Sequence, residues 1–118
     1  MLKDDFIIKD TENILRYLSR LLFDEDLENV EIDYQEEVVS TEALFYSELK
    51  RMIAEKDING AENALFEKIE DEPTDKILLV ALKFYSDISR LKDPELNECN
   101  FTREEILEGV KEIERLVG

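Results

Sequence analysis

Hydrophobic residues recur at helical spacing along most of the chain. In residues 5–23, the side chains that share one face fall within an arc of about 140° at about 100° per residue. This predicted buried face comprises Ile7, Ile8, Thr11, Ile14, Leu15, Leu18, Leu21 and Leu22. Tyr17 and Phe23 lie outside the arc and are expected to be partly exposed or to meet a second neighbour. The pattern predicts an amphipathic N-terminal helix.

Two further helices follow in close succession. The second begins at residues 40–41, where a serine or a threonine can cap it, and its apolar face comprises Phe45, Tyr46, Leu49, Met52 and Ile53. Asn59 is then predicted to cap the third helix, with Glu62 as its capping-box partner, and Pro73 stops that helix. Because the turn between them is short, the two helices are predicted to pack as an antiparallel hairpin.

The fourth helix is the most apolar part of the chain. Thr74 can cap it, and residues 77–82 are apolar all the way round, so this helix is predicted to be central. Asp93 and Pro94 are typical of the cap and first turn of a short helical turn. A capping box that starts at Thr102 opens the closing amphipathic helix, whose apolar positions are Ile106, Leu107, Val110, Ile113, Leu116 and Val117.

Residues 24–39 interrupt the helical pattern. They combine dense acid with a strand-like alternation of apolar side chains, namely Val30, Ile32 and Tyr34. We interpret the segment as an acidic linker that presses these side chains onto the helices, with local disorder near Asp24 as the alternative. The chain is thus predicted to be a single all-α domain of about five helices. It comprises the N-terminal helix (5–23), the linker, and the hairpins with the C-terminal helix (40–118).

Composition and charge narrow the expected partners. The 118 residues are 43% hydrophobic and include only two prolines and three glycines, which suits one helical domain with one core. Fifteen basic against thirty-one acidic residues give a net charge of −16, which repels phosphate backbones and anionic lipids. We therefore expect no nucleic-acid and no membrane partner. No basic residue lies between Arg20 and Lys50, so a protein with a basic patch would be the electrostatic complement.

The cysteine content and the N-terminus indicate a cytoplasmic protein. The single Cys99 can form no internal disulfide, and the first residues lack the apolar run and cleavage site of a signal peptide. The longest strongly hydrophobic run, residues 77–82, is too short to cross a bilayer.

Few residue types that commonly carry chemistry are present. There is no histidine, which removes the commonest general base and the preferred ligand of several metals. Cys99 has no activating histidine, and the neighbouring Glu98 would raise the pKa of its thiol, so a structural role is expected. Glycines never lie close enough together to form a phosphate-binding loop. We therefore predict no catalytic residue, no metal site and no cofactor.

One acidic pattern keeps an enzymatic alternative open. Glu104, Glu105 and Glu108 place carboxylates one turn apart on the last helix and resemble half of the magnesium site of all-α nucleotide pyrophosphohydrolases. That family also needs a second helix with a glutamate and an aspartate three residues apart. The chain offers approximate matches in Glu67, Glu70, Asp71 and Asp87. Glu105 is also explained as the capping-box partner of Thr102.

Residues 45–73 resemble one tetratricopeptide-type repeat. A helix, a short turn and a second helix are followed by a terminal proline, with the small Ala61 where the helices cross and Leu65 four residues later. The stretch departs from the repeat at residues 48–49, where the pattern has a large apolar residue followed by a small one. The resemblance implies antiparallel helical hairpins.

Most of the chain also resembles a family of small bacterial proteins of unknown function. The resemblance is carried by DDFIIKDTENILRYLSRLLF, INGAENALFEKI and NFTREEILEGVKEIERLVG. It implies a helical fold resembling tetratricopeptide hairpins, and it transfers no functional residue. The leading hypothesis is a protein–protein interaction module that binds a protein partner or forms a homodimer. The alternative is a magnesium-dependent nucleotide pyrophosphohydrolase, although no enzyme activity is expected.

Overall fold

The structure is a computed structural model that describes residues 2–32 and 40–118. Within these residues it contains six α-helices, one 3₁₀ turn and no strand. The elements are α1 (Leu2–Phe23), the 3₁₀ turn (Leu27–Asn29), α2 (Thr41–Ala54), α3 (Ile58–Asp71), α4 (Asp75–Ser89), α5 (Asp93–Glu98) and α6 (Arg103–Val117). The prediction of an all-α fold is confirmed. The additional helix is α5, which the sequence predicts as a short helical turn.

Helix α4 is the centre of the domain, as its apolar circumference predicts. It contacts α1, α2, α3 and α6, and every residue from 77 to 82 is at most 9% exposed. Phe84 and Tyr85 are fully buried, with their rings edge to face at 5.1 Å between centroids. Burying a large apolar side chain contributes about 1.5–3 kcal/mol, so α4 supplies much of the stabilisation of the core.

Three predicted helix starts are confirmed by their hydrogen bonds. The hydroxyl of Ser40 accepts from the Ala43 N–H at 3.1 Å at the start of α2. Thr74 accepts in the same way at the start of α4, and Thr102 at the start of α6. Each cap satisfies one of the backbone donors that a helix N-terminus leaves unpaired. Local sequence therefore determines where these helices begin.

The predicted cap of the third helix is wrong. The N-cap is Asp57 rather than Asn59, and its carboxylate accepts from the Gly60 N–H at 2.9 Å. The chain reverses at Lys56, whose φ is 66°, and Ile58 is fully buried as the first helical residue. Burial of Ile58 thus draws the helix start towards the turn. Asp93 is likewise the first residue of α5 rather than its cap, which is Lys92.

Helices α2 and α3 pack against each other and against α4, joined by a turn of only three residues. Leu49 of α2 is fully buried, and so are Ala61 and Leu65 of α3. The hairpin therefore places these three residues of the repeat-like pattern inside the core. The similarity of this hairpin to a tetratricopeptide repeat stays a prediction.

Side-chain hydrogen bonds and an ion pair connect the loops to the helices. The Arg103 guanidinium, only 13% exposed, donates to the carbonyls of Ser89 and Leu91 at 3.1 and 2.7 Å and pairs with Asp93. It thereby satisfies carbonyl groups left free at and just beyond the C-terminus of α4. In the acidic stretch after α1, Leu27 is buried and its carbonyl accepts from Lys83 at 2.8 Å.

The apolar residues that the structure describes after the 3₁₀ turn contact the core, as the sequence predicts. Ile32 is 7% exposed and belongs to the core, and Val30 is half-buried against it. Tyr34, the third residue of the alternation, lies outside the described residues. The N-terminal helix is longer than predicted, since it begins at Leu2 instead of Asp5.

Candidate functional site

The three carboxylates at the start of α6 have different surroundings. Glu104 and Glu108 are exposed, whereas Glu105 is half-buried. Glu105 interacts with the helix cap Thr102, as predicted. Its backbone N–H donates to the Thr102 hydroxyl, and that hydroxyl donates to the Glu105 carboxylate. Of the proposed partners on α3, Glu67 and its neighbours Glu70 and Asp71 are all exposed. The fourth, Asp87 on α4, accepts a hydrogen bond of 2.5 Å from the Tyr46 hydroxyl.

The α3 carboxylate that does interact with this region is Glu62. It accepts a hydrogen bond of 2.6 Å from the buried hydroxyl of Tyr85. Burial raises the pKa of Glu62, the bond from Tyr85 opposes this, and the negative charges of Glu105 and Glu108 raise the pKa further. The sequence pattern assigns Glu62 to the capping box of Asn59, and so misses its contact with α4.

Gly109 makes the position of Tyr85 possible. A Cβ at Gly109 would lie 2.2 Å from the Tyr85 hydroxyl oxygen, far inside any normal contact. The absence of a side chain on α6 therefore allows the tyrosine to pass beside that helix and reach Glu62. Burial is also the main cause that raises the pKa of Tyr85, so this phenol serves as a hydrogen-bond donor. The arrangement joins α3, α4 and α6 through one buried polar contact.

The described residues contain no group of three or more histidine, cysteine, aspartate or glutamate side chains arranged to hold a metal ion. The charges of Glu105 and Glu108 act on Glu62, but the three carboxylates do not form such a group. Cys99, at the end of α5, is buried as a free thiol. Burial raises its pKa, and Glu98 adds to this in the direction that the sequence predicts.

A cavity of about 570 Å³ lies between α1, the 3₁₀ turn and the end of α4. Its lining includes Arg16 and Arg90. The other four of the six arginines each form an ion pair with a carboxylate, whereas these two form none among the described residues. Glu12 and Glu28 line the same cavity. Ligand pockets are usually apolar with a few convergent polar groups, whereas this cleft carries scattered charges of both signs.

The outer face of α1 is the main exposed apolar surface of the described residues. Among the side chains that the structure describes, five large hydrophobic ones are strongly exposed, and three of them are on α1: Phe6 at 67%, Tyr17 at 56% and Leu21 at 55%. At about 100° per residue these three fall within about 60° of the helix circumference. A shallow depression of about 380 Å³ lies to one side of Phe6 and does not extend to Tyr17 or Leu21. We call this surface, defined by Phe6, Tyr17 and Leu21, the α1 outer face.

The predicted burial of Leu21 is wrong, and so is that of Leu116 on α6, which is 45% exposed. The sequence predicts a buried arc on α1 that is wider than the part of this helix that α4 and α6 cover. Packed helices contact only part of each other's circumference. The exposure of Tyr17 agrees with its position outside the predicted arc.

Charge on α1 is balanced, in contrast to the chain as a whole. The helix carries four basic and four acidic residues, so the excess of sixteen negative charges lies elsewhere. The charges are also unevenly placed along the helix. Residues 2–12 have two bases and four acids, and residues 13–23 have only Arg16 and Arg20, both basic. The α1 outer face therefore runs from an acidic N-terminal half, which contains Phe6, to a basic C-terminal half, which contains Tyr17 and Leu21.

Comparison with known proteins gives a family and no activity. A family model described as a family of unknown function (DUF6483) matches residues 1–118. No curated protein and no solved structure matches the chain. Among the described residues, none of the helices has both the length and the apolar content needed to span a membrane.

Proposed function

Because the chain belongs to this family of unknown function, we infer its role from the properties of its surface and propose that it is a protein-interaction module. The observation that supports this proposal is the α1 outer face, where Phe6, Tyr17 and Leu21 are each more than half exposed. Phe6 lies about 16 Å along α1 from Tyr17, and large exposed apolar side chains that share one helix face are typical of the anchors by which a helix binds a partner. The partner is a protein surface that offers apolar contacts and charges of both signs.

The charge of α1 favours this face over the rest of the surface. Acid-rich regions impose long-range repulsion on an acidic partner, whereas α1 has no net charge. Exposed aromatic residues flanked by charges of both signs are also typical of interfaces, in which aromatic residues form the anchors and charged residues form the rim. Binding through α1 would thus combine apolar burial with local charge pairing.

Site-specific photo-crosslinking in cells tests the proposal. A photoreactive amino acid in place of Tyr17 is expected to give a covalent protein adduct, identified by mass spectrometry. The matched control places the same group at Leu44 on α2, which is 59% exposed but lies outside the α1 outer face. Equal adducts from both positions, or none from position 17, would contradict the proposal.

A further inference from the structure

We infer that the partner of the α1 outer face is a second copy of this chain, docked with the two α1 helices antiparallel. This inference rests on the proposed function, since it names the occupant of the same surface. It is carried by two properties of α1, which are the positions of its exposed side chains and the distribution of its charges. A two-fold symmetric interface requires one surface to be complementary to itself.

The exposed side chains satisfy this requirement in one register. Phe6 and Leu21 lie equally far from the point between Asn13 and Ile14, on opposite sides of it. A two-fold axis at that point therefore sets Phe6 of each copy opposite Leu21 of the other, at two contacts separated by about 22 Å. Each contact joins two apolar side chains that are more than half exposed in the single chain.

The same axis pairs the polar residues of this face. Asp10 and Tyr17 are also equidistant from the axis, and both fall within the arc that contains Phe6 and Leu21. A carboxylate of one copy then faces the phenol of the other, where the phenol can donate a hydrogen bond. Asn13 lies beside the axis, and a central polar residue is a known way of fixing helix register.

Charge favours the antiparallel orientation. It brings the half of α1 with a net of two negative charges alongside the half with a net of two positive charges, at both ends of the interface. A parallel arrangement would place like halves together. Arg20 is held by Asp26 at 2.9 Å in an exposed pair, and such pairs contribute little. The Arg20 guanidinium can therefore also meet acids of the other copy.

Two charge-introducing variants and their mixture test the register. Phe6→Glu and Leu21→Lys each damage both symmetric contacts, and each is expected to reduce the dimer association constant at least about tenfold, as for interface anchors. In the mixed dimer one contact joins the new glutamate to the new lysine, and the other keeps Phe6 with Leu21. Mixing the two variants is therefore expected to restore the dimer.

Light scattering after size-exclusion chromatography measures the mass of the full chain at concentrations up to about 100 μM, ample for a specific homodimer. Leu44→Lys is the matched control and should leave the mass doubled. Circular dichroism checks that each variant stays helical. A monomeric wild type, unchanged dimerisation of Phe6→Glu, or failure of the mixture to associate would each overturn the antiparallel dimer.

The crosslinking experiment separates the two proposals. An adduct between two copies of the chain supports the antiparallel dimer. An adduct with a different protein overturns the dimer and keeps the interaction module. Absence of any adduct at position 17 contradicts both.

Discussion

Helices α4 and α1 both carry aromatic and aliphatic residues, but these side chains are buried on α4 and partly exposed on α1. Helix α4 contacts four other helices, and Phe84 is fully buried. Helix α1 has neighbours on one side only, and Phe6 is 67% exposed. The two phenylalanines show that the number of packed neighbours, rather than side-chain hydrophobicity, decides which apolar residues stabilise the fold. Apolar residues without packed neighbours stay exposed and contribute little to the stability of the fold.

Phe84→Ala provides the largest expected effect of this comparison. Removing a fully buried ring leaves a cavity in the centre of the core, and the free energy of unfolding should fall by about 3–5 kcal/mol. Urea denaturation followed by circular dichroism measures the change. A loss of less than about 1 kcal/mol, the size expected away from a packed core, would show that α4 is not the stability centre.

Gly109→Ala tests how closely α4 approaches α6. Alanine at an exposed helix position normally stabilises relative to glycine by about 1 kcal/mol. Here the new Cβ would meet the ring of Tyr85, and forcing a group into a packed site costs about 1–3 kcal/mol. We therefore expect net destabilisation in thermal unfolding. Stabilisation would mean that the Tyr85 ring can move aside at little cost.

Glu62→Gln should produce a smaller, pH-dependent effect. The pKa of Glu62 is raised in the folded state, so its contribution to stability is present below its unfolded pKa and is lost as pH rises through the folded pKa. Glutamine cannot ionise but can still accept from Tyr85. The variant should match the wild type in acid and be more stable at neutral pH.

The expected gain from Glu62→Gln is less than about 1 kcal/mol, because this partly exposed group is screened by solvent. Unfolding curves measured from acidic to neutral pH provide the comparison. In a Tyr85→Phe background the gain should increase, since the hydrogen bond that opposes the raised pKa is gone. Equal stability of variant and wild type at every pH would contradict the assigned cause.

Phe6→Ala is the smallest expected effect and the counterpart of Phe84→Ala. Because Phe6 is largely exposed in the single chain, its removal should change the free energy of unfolding of the monomer by less than about 0.5 kcal/mol. The measurement is made at low protein concentration, where an assembled form does not contribute. A large loss would mean that Phe6 packs within its own domain.

The helical fold and most helix ends follow from local sequence. Ser40, Thr74 and Thr102 cap helices as predicted, because a cap depends on hydrogen bonds within four residues of itself. The central place of α4 also follows, since a helix that is apolar all round can only be stable when it is covered on all sides. These features need little information from distant parts of the chain.

Contacts between distant residues account for what the sequence pattern misses. Glu62 matches a capping box locally, but burial of Ile58 moves the cap to Asp57, and Tyr85 approaches past Gly109 to bond the free carboxylate. Leu21 has the spacing of a buried residue and is exposed because no helix covers it. By itself the sequence determined the helices, the caps of α2, α4 and α6, and the charge of the surface. Only the tertiary structure decided which apolar face of α1 remained open, because exposure depends on where the other helices end.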